Sequence, residues 1–232
     1  EQRFYNNRKL VIESFIRSAD LLQVSTSILG CRYKFLNDNV KIFPNRLDWD
    51  LWSLESTESC TAFPLRILYM GTMTHKMDWE MIEPIMRRII DRRANTVEMH
   101  IIGIVESKFI PEWVTLHTPP SGVSAVYPAF VQWLKTLGGF HIGIAPLVDN
   151  YFNAAKSGIK FFDYTALGAT TIASDLAPYR EIIRNGVNGI LISNNEPLEW
   201  EININLVIDD KNHRDFLWNN ALTDLISKHS YK

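Results

Sequence analysis

A chain of 232 residues is long enough for one sizeable hydrophobic core and a smaller unit beside it, but not for two full domains. Its 46% hydrophobic and 22% charged residues exclude a disordered or fibrous protein. A net charge of −2, from 24 basic and 26 acidic residues, excludes a nucleic-acid binder that relies on a basic field. Cys31 and Cys60 are too few for a disulfide framework and lack metal-ligand spacing, which points to a reducing, cytoplasmic setting with no metal site. The chain begins at Glu1 without a Met or a signal-like segment, so it is expected to be a piece of something longer.

Leu10, Val11, Phe15 and Ile16 have near-helical spacing, and Leu21 to Val24 reads as a strand followed by the capping run Ser25-Thr26-Ser27. Val40 to Phe43 alternates as a short strand and stops at Pro44. Residues 46 to 63 show no period and are predicted to connect two units, divided at residues 1–60 and 61–232. Leu65 to Met70 is a buried strand ending at Gly71. Ile82, Ile85, Met86, Ile89 and Ile90 then mark a helix from Asp78 to about Arg93, with Pro84 expected to kink its first turns. Further strands are predicted at Val97–Ile102, Val123–Val126, Phe140–Ala145, Thr170–Ala173 and Gly189–Ile192. Helices are predicted near Pro128–Leu137, Ser157–Leu167 and Tyr179–Arg184, with two more from Pro197 to Lys228. Repeated strand, glycine, helix, strand units mean right-handed crossovers, hence an α/β fold with a Rossmann-like parallel sheet covered on both faces. Ligands in such sheets sit beyond the carboxyl ends of the strands.

Two strand-end loops carry suitable chemistry. In Gly71-Thr72-Met73-Thr74-His75-Lys76-Met77-Asp78 a glycine permits close backbone approach, a helix N-terminus follows, and Lys76 adds a cation suited to phosphate. The plain alternative is a βα turn capped by Thr74 or Asp78. In the second loop, Asn153 to Tyr164, a helix starting near Ser157 puts Lys160, Asp163 and Tyr164 on one face and Ile159, Phe162 and Ala166 on the opposite, sheet-facing side. Lys156 and Ser157 then lie at the positive helix end, where a diphosphate would be neutralised without a metal, and Asp163 is placed to accept hydrogen bonds from ribose hydroxyls. The alternative here is a surface Lys-Asp pair.

Val40 to Asn45, Leu68 to Thr72, and Lys156-Ser157 through Asp163-Tyr164-Thr165-Ala166-Leu167-Gly168 resemble the carboxyl-terminal half of a GT-B glycosyltransferase of the bacterial surface-polysaccharide kind, and so do Pro178 to Ile183 and Gly186 to Ile192. The likeness covers roughly residues 18 to 220. It implies a domain that binds a nucleotide diphosphate sugar, with Gly71, Thr72, His75, Lys76, Lys156 and Ser157 at the diphosphate and Asp163, where the family more often has Glu, at the ribose. Many members carry a Glu where this chain has Ala155, which leaves Asn153 and Lys160 to meet the donor sugar. Base recognition is expected from the loops after Ile102 and around Val126–Pro128, with Phe130 and Trp133 as stacking residues or core. The acceptor, a polysaccharide or lipid-linked glycan, would be bound by an amino-terminal domain, of which residues 1 to 30 resemble the last helix and strand. The resemblance implies no cofactor, and it implies that the full enzyme can associate peripherally with the inner face of a membrane. The catalytic base is not identifiable in this half, and the chain alone is expected to bind donor weakly and transfer little. A non-catalytic nucleotide-binding module is the competing reading. A phosphoacceptor domain is set aside because neither Met70-Gly71 nor Ile102-Gly103 offers an acid.

Overall fold

The computed structural model describes residues 2–54, 59–103 and 110–231. An amino-terminal helix α1 (Gln2–Ser18) precedes strand β1 (Leu22–Val24), helix α2 (Ser27–Tyr33) and strand β2 (Val40–Ile42). Thr26 caps α2 by accepting from the Leu29 N–H at 3.3 Å, and β1 and β2 pair in parallel. The next elements are β3 (Leu47–Asp48) and α3 (Trp49–Trp52), then β4 (Leu65–Gly71), α4 (Lys76–Arg92), β5 (Val97–Gly103) and β6 (Val114–His117). After them come α5 (Tyr127–Thr136), β7 (Ile142–Ala145), α6 (Ile159–Ala166), β8 (Thr170–Ser174), α7 (Ala177–Arg180) and β9 (Ile190–Ile192). The chain finishes with α8 (Pro197–Asp209), α9 (Lys211–Lys228) and β10 (Ser230–Tyr231), which returns to pair with β3. Helix α1 leaves Leu10, Val11, Ile12 and Phe15 largely exposed.

Among the described residues, six parallel strands form the main sheet in the order β6-β5-β4-β7-β8-β9. The strand order reverses between β4 and β7, which is where an open α/β sheet presents a crevice. Alternation along β4 sorts the core: Ile67 and Tyr69 join the layer under α4, α8 and α9, while Leu68 and Met70 join the layer under α5 and α6.

The reversal has a local cause. Strands β4 and β7 pair only at Ile67 with Ile142 and at Leu68 with Gly143, and then part. Tyr164 fills the wedge. Its hydroxyl accepts from the Met70 N–H at 3.1 Å and donates to the Ile144 carbonyl at 3.0 Å. Gly143 makes room, since a Cβ there would lie 2.3 Å from the Tyr164 ring.

The α/β Rossmann-like expectation holds. Pro84 lies within α4 without ending it. The third strand of the β4-β5-β6 half is Val114–His117, not Val123–Val126. Val123–Ala125 is a 3-10 turn, set up by Gly122 at φ +80° and by the bond from the Val123 N–H to the Pro120 carbonyl. Helix α6 starts at Ile159 rather than Ser157, and its buried stripe runs through Phe161, Tyr164 and Thr165. Tyr164 therefore faces the sheet rather than sharing a ligand face with Lys160 and Asp163, while Ile159 and Ala166 are only half-buried. Phe162 is buried against the His229 ring, with centroids 4.9 Å apart.

Tyr164→Phe should cost about 1–3 kcal/mol, because it strands a buried N–H and a buried carbonyl. Denaturant unfolding checks this, and an unchanged midpoint would show that the hydroxyl is incidental to the wedge.

Candidate functional site

Strand β4 ends at Gly71, and the chain turns through the 3-10 segment Met73–His75 into α4. Two close approaches shape this rim. A Cβ on Gly71 would sit 2.7 Å from His75 Cδ2, and one on Gly103, at φ +77°, would sit 2.0 Å from the Gly71 carbonyl oxygen. The tight turn directs His75 inward, where it is 7% exposed, with its ring edge-on to Tyr69 at 6.5 Å between centroids. Thr72 is exposed, its hydroxyl 2.9 Å from that of Thr74.

Asp78, in the first turn of α4 and 1% exposed, organises the crevice. Its Oδ2 lies 2.7 Å from His75 Nδ1. Its Oδ1 accepts from the Val148 N–H at 2.7 Å and from Asn153 Nδ2 at 3.1 Å, both on the loop that follows β7. One carboxylate thus links the loops on both sides of the strand-order reversal.

Lys156 and Lys160 come from the far wall. Lys160 Nζ is 2.9 Å from His75 Nε2, and Lys156 Nζ is 3.3 Å from the same nitrogen. Burial lowers the affinity of all three groups for a proton. The Lys160 ammonium is pushed down to about 7, chiefly by desolvation and then by Lys156. The His75 imidazole is lowered by burial and by the two lysines, against the opposing hydrogen bond from Asp78. Lys156 is lowered by burial, with Asp78 opposing.

Asp163 stands one turn beyond Lys160 and is 8% exposed. Burial pushes its carboxyl up to about 7, although Lys160 and a hydrogen bond from Tyr127 pull the other way. The Trp52 indole N–H donates to the Tyr127 hydroxyl at 3.2 Å, which fixes that phenol. Asp163 Oδ1 is buried and has no hydrogen-bond partner among the described residues. A buried carboxylate oxygen left open in this way is costly unless a ligand donor reaches it.

The crevice brings His75, Lys156, Lys160 and Asp163 together. Lys76 is not drawn in: its side chain is exposed and pairs with Glu80 at 3.7 Å. Ser157 lies ahead of the helix, and its hydroxyl accepts from Asn45 Nδ2 at 2.8 Å. Asn153 is 3% exposed, with its amide donating to Asp78 and to the Val148 carbonyl, so its amide N–H groups hold the loop. Phe130 and Trp133 are half-buried against the core with rings 5.6 Å apart. The loop after Ile102, expected to meet a base, begins within Ile104 to Phe109, which lie outside the described residues. Sequence reasoning missed Asp78 as an organiser, although its i, i+3 spacing from His75 was visible. It also missed Tyr127 and Asn45, whose contacts arise only in the fold. On the other side of the Lys156-Ser157 turn lies a cavity of about 160 Å3, lined by Thr26, Asn45, Glu181 and His229 among others. The amino-terminal unit reaches this turn through the Thr26 hydroxyl, which donates to the Ala155 carbonyl at 3.2 Å. Among the described residues no group of three or more His, Cys, Asp or Glu is placed to hold a metal ion.

The structure of Anabaena HepE in complex with UDP and glucose is similar with a TM-score of 0.71 at 12% identity, covering 97% of this chain and 63% of that one. The structure of S. aureus TarM is similar with a TM-score of 0.64 at 14% identity, covering 96% and 43%. The carboxyl-terminal domain of the group 1 glycosyl transferase LpcC from Francisella tularensis gives 0.51 at 13% identity, covering 82% and 96%. The chain therefore spans less than two thirds of HepE and TarM, and its likeness to them bears out the fold expected of the carboxyl-terminal half of a GT-B protein. No curated protein matches the sequence. The family model for glycosyl transferases group 1 matches residues 64–210, well over half of the chain, and the chain belongs to that family.

Asn153→Ala should cost about 1–3 kcal/mol with no ligand present, because it strands the buried partners of the amide. Thermal or denaturant unfolding checks this. A variant as stable as the parent would return Asn153 to the set of free ligand groups.

Proposed function

We propose that this group 1 glycosyl transferase chain binds a nucleotide diphosphate sugar in the crevice between β4 and β7 and presents it for transfer to a hydroxyl of an acceptor. The observation that carries this reading is the convergence of the Lys156 and Lys160 ammoniums on one buried imidazole, 3.3 and 2.9 Å away, opposite the buried carboxylate of Asp78. That carboxylate already accepts from Val148, Asn153 and His75, which leaves the ammoniums short of anionic partners. A diphosphate supplies the missing charge. As the bond between the sugar and the departing phosphate breaks, negative charge grows on the phosphate oxygens, and cations held in a partly dry crevice stabilise it more than they stabilise the intact donor. Gly71 and Thr72 offer close backbone approach, Ser157 a hydroxyl, and Lys76 an outer cation at the rim. The open Oδ1 of Asp163 suits a ribose hydroxyl as donor. HepE, solved with UDP and with UDP-glucose, supports a uridine nucleotide as the first donor to try. The donor sugar falls to Lys160 and the backbone around Asn153.

An acceptor of the polysaccharide or lipid-linked glycan class, and peripheral association of the full enzyme with the inner face of a membrane, belong to the same proposal. No helix among the described residues is long and apolar enough to cross a membrane. The competing reading, a nucleotide-binding module without turnover, gains from one observation: Ala155 has no polar side chain, and the Asn153 amide is already engaged.

A thermal-shift panel with UDP, GDP, ADP, CMP and dTDP tests the reading. One diphosphate should stabilise the chain by about 2.7 kcal/mol at a hundredfold excess over its dissociation constant, with or without magnesium. Lys156→Ala should lose most of that shift and little intrinsic stability. No shift with any nucleotide would count against the reading.

Binding should also depend on pH in a stated direction. Between about pH 6 and 8 the Lys160 ammonium loses its charge and the Asp163 carboxyl gains one, so the crevice becomes less positive. Affinity for UDP-glucose, whose diphosphate does not titrate in this range, should fall as pH rises. Calorimetry at pH 6, 7 and 8 reads this out, and a flat profile would remove both groups from the site.

A further inference from the structure

We infer that Asp78 and His75 work as one unit at the diphosphate subsite: Asp78 holds the imidazole as its Nδ1–H tautomer, and the ring takes up a proton at Nε2 when a diphosphate draws the lysine ammoniums away from it. This rests on the diphosphate reading above and goes beyond it by assigning Asp78 as a positioning residue and His75 as a cation formed by binding.

The geometry fixes the tautomer. Asp78 Oδ1 is occupied by the Val148 N–H and the Asn153 amide, so the carboxylate cannot turn away, and Oδ2 faces His75 Nδ1 at 2.7 Å. An ionised carboxylate only accepts, so the hydrogen lies on Nδ1, and Nε2 of the neutral ring carries a lone pair. The neighbours agree. Lys160 and Lys156 Nζ lie 2.9 and 3.3 Å from Nε2 and in their ammonium forms donate to it, Lys156 Nζ being also 3.4 Å from Nδ1. The ring cannot swing out, because its Cδ2 edge packs on Gly71 and Tyr69 stands edge-on to it. The groups facing the imidazole are thus Asp78 on its own helix, Lys156 on the turn before α6, Lys160 on α6, and Tyr69 on β4.

A diphosphate changes the balance at Nε2. Its oxygens are acceptors, and they compete for the ammonium hydrogens that now satisfy the imidazole lone pair. The bare Nε2 would then face anionic oxygen, an acceptor against an acceptor. A proton from solvent resolves this by making the ring a donor at both ends, Nδ1–H to Asp78 and Nε2–H to phosphate. The same phosphate charge offsets the repulsion from the two lysines, which adds to burial in keeping the free ring neutral.

Nuclear magnetic resonance of the chain labelled with 15N-histidine reads both claims, with His75 assigned by the signal lost in His75→Gln. In the free protein at pH 7.5 the His75 ring should carry hydrogen on Nδ1 alone. With saturating UDP, GDP or inorganic pyrophosphate both nitrogens should be protonated, with the midpoint of His75 protonation raised by about one to three pH units. Asp78→Asn, close to isosteric, should lose the fixed tautomer and most of that rise. A free ring carrying its hydrogen on Nε2, or one that stays neutral with a probe bound, overturns the inference and leaves the diphosphate reading standing. If none of the three probes binds, the diphosphate reading falls and this inference falls with it.

Discussion

The Asp78 carboxylate is buried where the strand order reverses, and it takes hydrogen bonds from both walls of the opening there: His75 on the β4 side, and Val148 and Asn153 on the β7 side. Two diverging strands leave a crevice that nothing in the sheet ladder can close, since their backbones no longer pair. A buried charge able to accept several hydrogen bonds ties such walls together, because an ionised carboxylate with unfilled acceptor sites would cost several kcal/mol. Tyr164 does the matching work one layer below, with a hydroxyl that both accepts and donates. Carboxylate and hydroxyl together set the width of the crevice before any ligand enters.

This arrangement makes the electrostatics unusual. The lysines that line the far wall meet an imidazole rather than a carboxylate, so they point at a lone pair instead of a charge. Cations held in this way are offset only at a distance, by Asp78 for both lysines and by Asp163 for Lys160. Their desolvation is only partly offset, and Lys160 carries the consequence as a proton affinity near neutrality. Asp163 is the mirror case, a carboxyl whose affinity has risen to meet it. Groups pushed toward a common pH by burial are a mark of sites built for ligands rather than for stability.

Much of the architecture could be read from the residues because periodicity and local sterics decide it. The apolar run from Leu65 to Met70, the stripe of Ile82, Ile85, Met86, Ile89 and Ile90, and the glycines at strand ends all act within a few residues of themselves. The errors fell where a long-range partner decides. Val114–His117 becomes a strand because β5 offers it an edge, whereas Val123 to Ala125 is curled by Gly122 and Pro120 despite similar residue types. Spacing alone puts Tyr164 on one face with Lys160 and Asp163, and only the gap between Met70 and Ile144 shows why its hydroxyl belongs in the core. In the site, Lys156, Lys160, His75 and Asp163 were legible as chemistry. Which of them converge was not, since Lys76 and His75 are adjacent in sequence yet turn to opposite sides of the rim.

The exposed face of α1 has a bearing on how the chain behaves in a tube. Leu10, Val11, Ile12 and Phe15 make a greasy strip, and residues 1–43 around it hold seven basic and four acidic side chains against seventeen and twenty-two in the remainder. That segment is therefore net positive and the remainder net negative, so charge does not keep copies apart at the strip, and added salt leaves its apolar attraction intact.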